Sequence, residues 1–276
     1  MKYYFEKALF INRKDDINAD VDRVYFGNEF CEKLIPEINV LRDMYYFVKQ
    51  QYKEFTFVTP FVTNKGINKL AALFDFLNKQ GGAEVVFNDW GVFYLLKNSF
   101  CSLIPVMGRL LTKQRRDPRM MRILSGKQRA VVCRSKKQKI IMLPKKIPDV
   151  LPELYKSSVI NVPFFQRFLL SQGIKRVEID NLVWDMDTNI PIELCVSVYF
   201  PYGYISTGRM CWKVSLGYGH CKRQCKKYYF QIKHKSLPVP LYAIGNTIFY
   251  KSHKLDFERL SGLGKIRIIY QKRLPF

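Results

Sequence analysis

A chain of 276 residues with 46 Lys and Arg against 23 Asp and Glu carries a net charge of +23, and 48% of its residues are apolar and 15% aromatic. That apolar content excludes a disordered chain, and the charge predicts a surface that attracts polyanions. No segment is apolar for the length of a membrane span, and the start, Met1-Lys2-Tyr3-Tyr4-Phe5-Glu6-Lys7, lacks the apolar core and cleavage site of a secretory leader, so a cytoplasmic protein with no membrane span is expected.

Strand-like and helix-like segments alternate through the first two thirds. Val24-Tyr25-Phe26-Gly27 reads as a short buried strand, and the spacing of Leu34, Ile35, Ile38, Leu41, Met44, Tyr45 and Val48 predicts a helix over 32–51. Residues 54–60, rich in aromatic and β-branched side chains, predict a second strand. Asn64 is the expected cap of a helix through Ile67, Leu70, Leu73, Phe74 and Leu77, closed by Gly81-Gly82. Glu84-Val85-Val86-Phe87 is a third buried strand, Asn88-Asp89 a turn or helix cap, 90–97 a short helix, and 101–107 is extended again.

From about 119 to 154 the chain is basic and carries Pro144, Pro148 and Pro152, which predicts an insertion or long connection within a single barrel-like domain over 1–276. Beyond it come a helix over 162–170 ending at Gly173, a strand over 176–180, and another over 192–198 that feeds a cysteine-bearing segment at about 204–228. Successive βα units predict an α/β fold with a parallel sheet, open and doubly wound or closed as a barrel. In either form, sites form at the carboxyl edge.

Three of the seven cysteines, Cys211, Cys221 and Cys225, stand nine and then three residues apart. In a reducing compartment that is ligand spacing for a metal or an iron–sulfur cluster rather than for a disulfide. Cys31, just after the first strand and turn, is the attractive fourth ligand. Cys195, within an apolar strand, reads as a small buried hydrophobe, and Cys101 and Cys133 read as structural. One remote ligand joined to a local trio favours a 4Fe–4S cluster, while His220 beside Cys221 keeps a Cys₃His zinc site as the alternative. Arg209, Lys222, Arg223, Lys226 and Lys227 would offset thiolate charge.

Asp89, Glu178, Asp180 and Glu193, at or near strand ends, are candidate acids, bases or substrate contacts, against the plainer roles of helix cap and surface charge. Arg109 and Arg209 are candidate holders of a carboxylate or phosphate, or structural ion-pair partners. Basic clusters at 113–119, 134–139, 145–146, 222–227 and 265–273 point to RNA, an anionic metabolite or an acidic partner, without a zinc finger, RNP motif or helix-turn-helix to single out nucleic acid. Neither H-E-x-x-H nor G-x-S-x-G occurs, and His220, His234 and His253 all fall late, which argues against proteolysis.

Several pieces in order carry a family resemblance. Val24-Tyr25-Phe26-Gly27-Asn28-Glu29-Phe30-Cys31, Glu84-Val85-Val86-Phe87-Asn88-Asp89-Trp90-Gly91, Gly108-Arg109-Leu110-Leu111 with Arg116-Asp117-Pro118-Arg119, and Tyr204-Ile205-Ser206-Thr207-Gly208-Arg209-Met210-Cys211 resemble the bacterial collagenase-like (U32) peptidase family. The resemblance runs over most of the chain, as far as Tyr242-Ala243-Ile244-Gly245-Asn246-Thr247. It implies a TIM-barrel-like fold, partial or distorted, and a 4Fe–4S cluster on Cys31, Cys211, Cys221 and Cys225. Despite the peptidase name, it also implies oxygen-independent hydroxylation of a ubiquinone precursor or of tRNA or rRNA bases, with a second family member as a heterodimeric partner in some cases. The contrasting expectation is a scaffold in which zinc or a cluster only stabilises a fold that grips RNA or a partner subunit.

Overall fold

The short apolar runs form strands buried on both faces, and these strands close on themselves. A computed structural model describes residues 5–14, 17, 20–121, 131–134, 139–142, 150–212, 214, 215, 220–235 and 237–275. In it β1 (Glu6–Ile11), β2 (Arg23–Gly27), β3 (Glu54–Val58), β4 (Glu84–Phe87) and β5 (Ile104–Met107) pair in sequence order. β8 (Arg176–Asp180), β9 (Cys195–Phe200) and β14 (Ile266–Gln271) complete the circuit, and β14 returns to β1. Every pairing in this ring is parallel. Of the two parallel-sheet forms left open by the βα rhythm, the fold is therefore the closed, TIM-barrel-like one.

Helices α1 (Ile38–Gln50), α2 (Asn64–Lys79) and α3 (Trp90–Ser99) follow β2, β3 and β4. Between β5 and β8 lie an antiparallel hairpin, β6 (Val131–Arg134) with β7 (Lys139–Met142), then α4 (Val150–Lys156) and α5 (Pro163–Ser171). The basic insertion or long connection expected at about 119–154 carries these short elements, and the rest of 122–149 lies outside the described residues. Between β9 and β14 the chain builds an antiparallel sheet in the order β10 (Tyr202–Thr207), β13 (Thr247–Lys251), β12 (Leu241–Ile244), β11 (Phe230–Ile232), followed by the short α6 (Phe257–Leu260).

Local chemistry explains where the elements differ from expectation. The predicted helix over 32–51 is split, because Ile35 is extended ahead of Pro36: a 3₁₀ turn at Glu32–Leu34 stops and α1 starts anew at Ile38. Thr63, not Asn64, is the cap residue of α2. Its backbone N–H and hydroxyl both donate to Glu32 Oε2, at 2.8 and 3.0 Å, which ties the loop after β2 to the start of the next helix. The strands predicted to begin at 101 and 192 begin at Ile104 and Cys195.

The two faces of the barrel strands do different work. Outward residues such as Leu9, Val24, Phe57, Val85, Val177, Val196 and Ile268 join the large apolar core that also holds the helices' buried side chains. Inward residues form layers: Ala8, Tyr25, Val58, Val86, Val106, Tyr199 and Ile269 fill the middle. The amino end is an ion network where branched apolar side chains are usual. Arg267 donates to both oxygens of Glu84 at 2.5 and 2.9 Å and to the Tyr25 hydroxyl at 2.7 Å, and lies 2.8 Å from Glu6, which also takes the Nε–H of Arg23 at 2.7 Å. Burial works against the charge of Glu84, but the hydrogen bonds and charge of Arg267, with Arg23 and Arg176, outweigh it and hold the carboxyl at about 2.

Two of the basic clusters therefore read differently in the fold. Arg267, counted in the 265–273 cluster, is 1% exposed, and Arg116, counted in the 113–119 cluster, is 6% exposed. Both are interior ion-pair partners and not polyanion contacts. Because removing one partner leaves buried charge uncompensated, Arg267→Ala is expected to lower the unfolding free energy by roughly 3–5 kcal/mol in denaturant melts. Lys265→Ala, on an exposed residue beside the same strand, should change it by less than about 0.5 kcal/mol.

Candidate functional site

The carboxyl end of the barrel is built by the loops that follow β2, β4, β5 and β8, with the β10–β13 sheet seated on them. β2 ends at Gly27, where φ is +134° and a Cβ would fall 2.1 Å from the Val58 carbonyl oxygen, so only glycine fits. Asn28 then folds the next turn: its Oδ1 accepts the N–H groups of Phe30 at 3.1 Å and Cys31 at 2.8 Å. Phe30, fully buried, meets Tyr204 and Phe249 edge-on at 5.5 and 5.1 Å. With Leu110 and Ile244 these rings form the small apolar core that seats the second sheet on the barrel.

Beneath that core lies a buried ion cluster. Arg109, from the loop after β5, gives Glu29 a bidentate pair at 2.8–3.0 Å, reaches Asp180 Oδ1 at 2.6 Å, and donates to the Tyr202 carbonyl at 2.9 Å. Arg116 takes the other Asp180 oxygen at 2.5 Å. The side chains of Arg109, Glu29 and Asp180 are all 0% exposed. β5 and β8 share one register pair, Met107 with Val177, and Gln114 supplies what the ladder lacks by accepting from the Asp180 N–H at 2.7 Å and donating to its carbonyl at 3.4 Å.

The thiols converge above this layer. Cys31 caps the 3₁₀ turn after β2, Cys211 follows β10, and Cys221 and Cys225 flank and enter the 3₁₀ turn at Gln224–Lys226. Burial pushes the Cys31 thiol up in spite of the N–H of Lys33 aimed at its sulfur, and the neighbouring thiols of Cys221 and Cys211 push it further. Cys225 is raised to about 11, first by burial and then by the nearness of Cys31, Cys221 and Cys211. All four predicted ligand residues are thus within mutual electrostatic range, and none is in a disulfide. Among the described residues no group of three or more Cys, His, Asp or Glu side chains is placed to hold a metal ion.

A carboxamide holds the two halves of this group together. Asn246 Nδ2 donates to the Phe30 carbonyl at 2.7 Å and to the Gly208 carbonyl, bridging the turn that carries Cys31 to the one that carries Cys211. Its neighbour Gly245, at φ +58° in the two-residue loop between β12 and β13, accepts from the Cys211 thiol at 3.4 Å. Reasoning from ligand spacing alone passed over Asn28 and Asn246. Their signal was an Asn directly after a strand and a Gly-Asn pair between two strands.

The other predicted residues scatter. Asp89 caps α3 through Gly91 N–H at 2.7 Å and also accepts from Val62 N–H at 3.3 Å, while lining a mouth cavity of about 650 Å³ with Trp90, Arg116 and Arg209. Arg209 is exposed, its guanidinium 5.7 Å from the Phe61 ring centre. Arg109 has its bidentate face taken by Glu29. Glu193 is exposed just ahead of β9, and Cys195 starts that strand, so both belong to the opposite end of the barrel from the thiols. His220, His234 and His253 are all exposed. The side chain of Cys133 lies outside the described residues.

No family model matches the chain, and no curated protein matches it. Among solved structures, one described as "The Structure of the U32 Peptidase Mk0906" aligns over 99% of this chain and 95% of its own, with 9% identity and a TM-score of 0.46. No helix among the described residues is long and apolar enough to cross a membrane.

Glu178 points into the barrel one layer below Asp180. It is fully buried, accepts from the Tyr199 hydroxyl at 2.8 Å, and leaves its Oε1 without a partner. Burial, then the charge of Glu29, raises it to about 8 against the opposing Tyr199 hydrogen bond. A carboxyl raised in the folded state binds its proton more tightly there than in the unfolded chain, so stability falls as pH rises from about 4.5 to about 8. The loss across pH 5–8 is expected to be on the order of a few kcal/mol, read from melts at stepped pH, and Glu178→Gln should flatten it.

Proposed function

We infer that the chain is an iron–sulfur protein of the collagenase-like (U32) peptidase family, holding a 4Fe–4S cluster on Cys31, Cys211, Cys221 and Cys225. The observation that carries this reading is the mutual nearness of four free thiols that come from two distant stretches of sequence and meet above the barrel mouth. Four cysteines with no competing acid among them suit thiolate ligation of iron. The raised thiols would ionise on binding, because a bound cation reverses the penalty that burial and mutual repulsion place on their charge. Such a cluster supplies one-electron chemistry or a covalent staple for the mouth.

The order of motifs supports a finer reading. It runs closest to the UbiV pattern, so the proposed role is a component of oxygen-independent hydroxylation, with a UbiU-like subunit as heterodimeric partner and a ubiquinone precursor or an RNA base as substrate. In that role the chain's own residues do three things: the cysteines hold the cluster, Asn28 and Asn246 fix the two turns that present them, and the Arg109 cluster fixes the loops beneath.

Anaerobic purification followed by iron, sulfide and zinc analysis tests the ligand set. The expected result is about four iron and four sulfide per chain with absorption at about 400 nm, lost in Cys31→Ala and in Cys225→Ala and kept in Cys195→Ala. Zinc in place of iron overturns the cluster, and full iron in Cys31→Ala overturns the fourth ligand.

A further inference from the structure

On the side of the mouth where β1 and β14 end, a cavity of about 440 Å³ opens between the barrel and the second sheet. Its walls are of two kinds. Arg13, Lys226, Lys227, Lys251, Lys272 and Arg273 supply cations, and no Asp or Glu is among the described residues lining it. Tyr202, Tyr228, Tyr229 and Tyr242 supply aromatic surface. Tyr229 is 56% exposed and meets Tyr242 edge-on at 6.0 Å, which leaves its ring face for stacking.

Lys226, Lys227 and Lys251 on one hollow repel one another, and an anion relieves that repulsion. Tyrosine faces beside them select an anion that also carries a flat ring. The volume lies within the roughly 300–1,000 Å³ usual for pockets that enclose a small organic ligand. A second hollow of about 230 Å³ shares Asn12, Arg13 and Lys226 with it, but Glu37 lines that one beside Arg223, so the acid-free cationic wall belongs to the first cavity alone.

We propose that this cavity binds a nucleoside phosphate, free or as one unit of a single-stranded RNA, with the base against the tyrosines and the phosphate on Lys227 and Lys251. The half-buried Tyr202 phenol, weakened as an acid by its surroundings and then by Tyr242 and Tyr229, stays a neutral hydrogen-bond donor on this wall. The assignment rests on the cavity's own residues and not on the cluster, although Cys225 forms part of one wall.

Binding of AMP, of a fluorescent single-stranded decaribonucleotide and of pyrophosphate is measured on the full chain, with iron content recorded for each preparation. Binding of AMP or the oligonucleotide is expected to exceed that of pyrophosphate at least tenfold. It should weaken at least tenfold in Tyr242→Ala and in Lys251→Gln, survive in Tyr242→Phe, and be unchanged in Lys175→Gln at the other end of the barrel. Tight AMP binding assigns the site to free nucleotides, whereas binding of the oligonucleotide alone, falling with salt, assigns it to a strand. Pyrophosphate binding as tightly as AMP and the oligonucleotide, an equal loss in Lys175→Gln, or no loss in the cavity variants overturns the proposal. Because iron is counted separately, loss of the cluster and loss of this ligand are told apart.

Discussion

The mouth of this barrel depends on one guanidinium. Arg109 joins Glu29 after β2, Asp180 at the end of β8 and the Tyr202 carbonyl at the start of β10, so a single side chain sets the relative positions of four segments. Its cationic carbon also lies 3.8 Å from the centre of the Tyr199 ring, which gives the charge a π face on the side that no carboxylate covers. Neutral residues of similar volume often pack as stably, but one charge with fixed fork geometry imposes a direction on each partner. Glu29 stands two residues before Cys31, and the orientation of that cysteine is inherited from this pair.

Interior charge recurs at the other end, where Arg267, Glu84, Glu6 and Arg23 take the place of an apolar plug. The barrel is thus strongly charged at both ends and mostly apolar in the middle, where Tyr199 donates to Glu178 and Tyr25 accepts from Arg267. This layering accounts for the basic composition only in part. The cations that close the barrel are buried with partners, and others line the cavity beside β1 and β14.

The same layering decides what could be read from sequence. β3, β4 and β8 were legible because their outward residues are aromatic or β-branched and their neighbours are turns or helices. β1 and β14 were not, since Glu6, Lys7, Arg267 and Gln271 break the apolar run that marks a strand buried on both faces. A lysine-rich stretch does not reveal which cation turns inward, so Arg267 and Arg116 were indistinguishable from Lys265 and Lys113. Ligand spacing singled out the cysteine trio as candidates, and a strand-then-turn position added Cys31. The four-stranded sheet whose β10–β11 connection carries the trio was not legible as a sheet, because β11 and β12 are only three and four residues long and β11 is exposed throughout.

The bridge from Asn246 to Phe30 spans 216 residues of chain. During synthesis the turn bearing Cys31 leaves the ribosome long before the hairpin that must clasp it, and β1 waits longer still for β14. Contacts so distant in sequence form late, after the intervening loop entropy has been overcome. Cys31 accordingly stays apart from the other three thiols while the chain is growing, and the barrel mouth takes its final form only when the second sheet has docked on it.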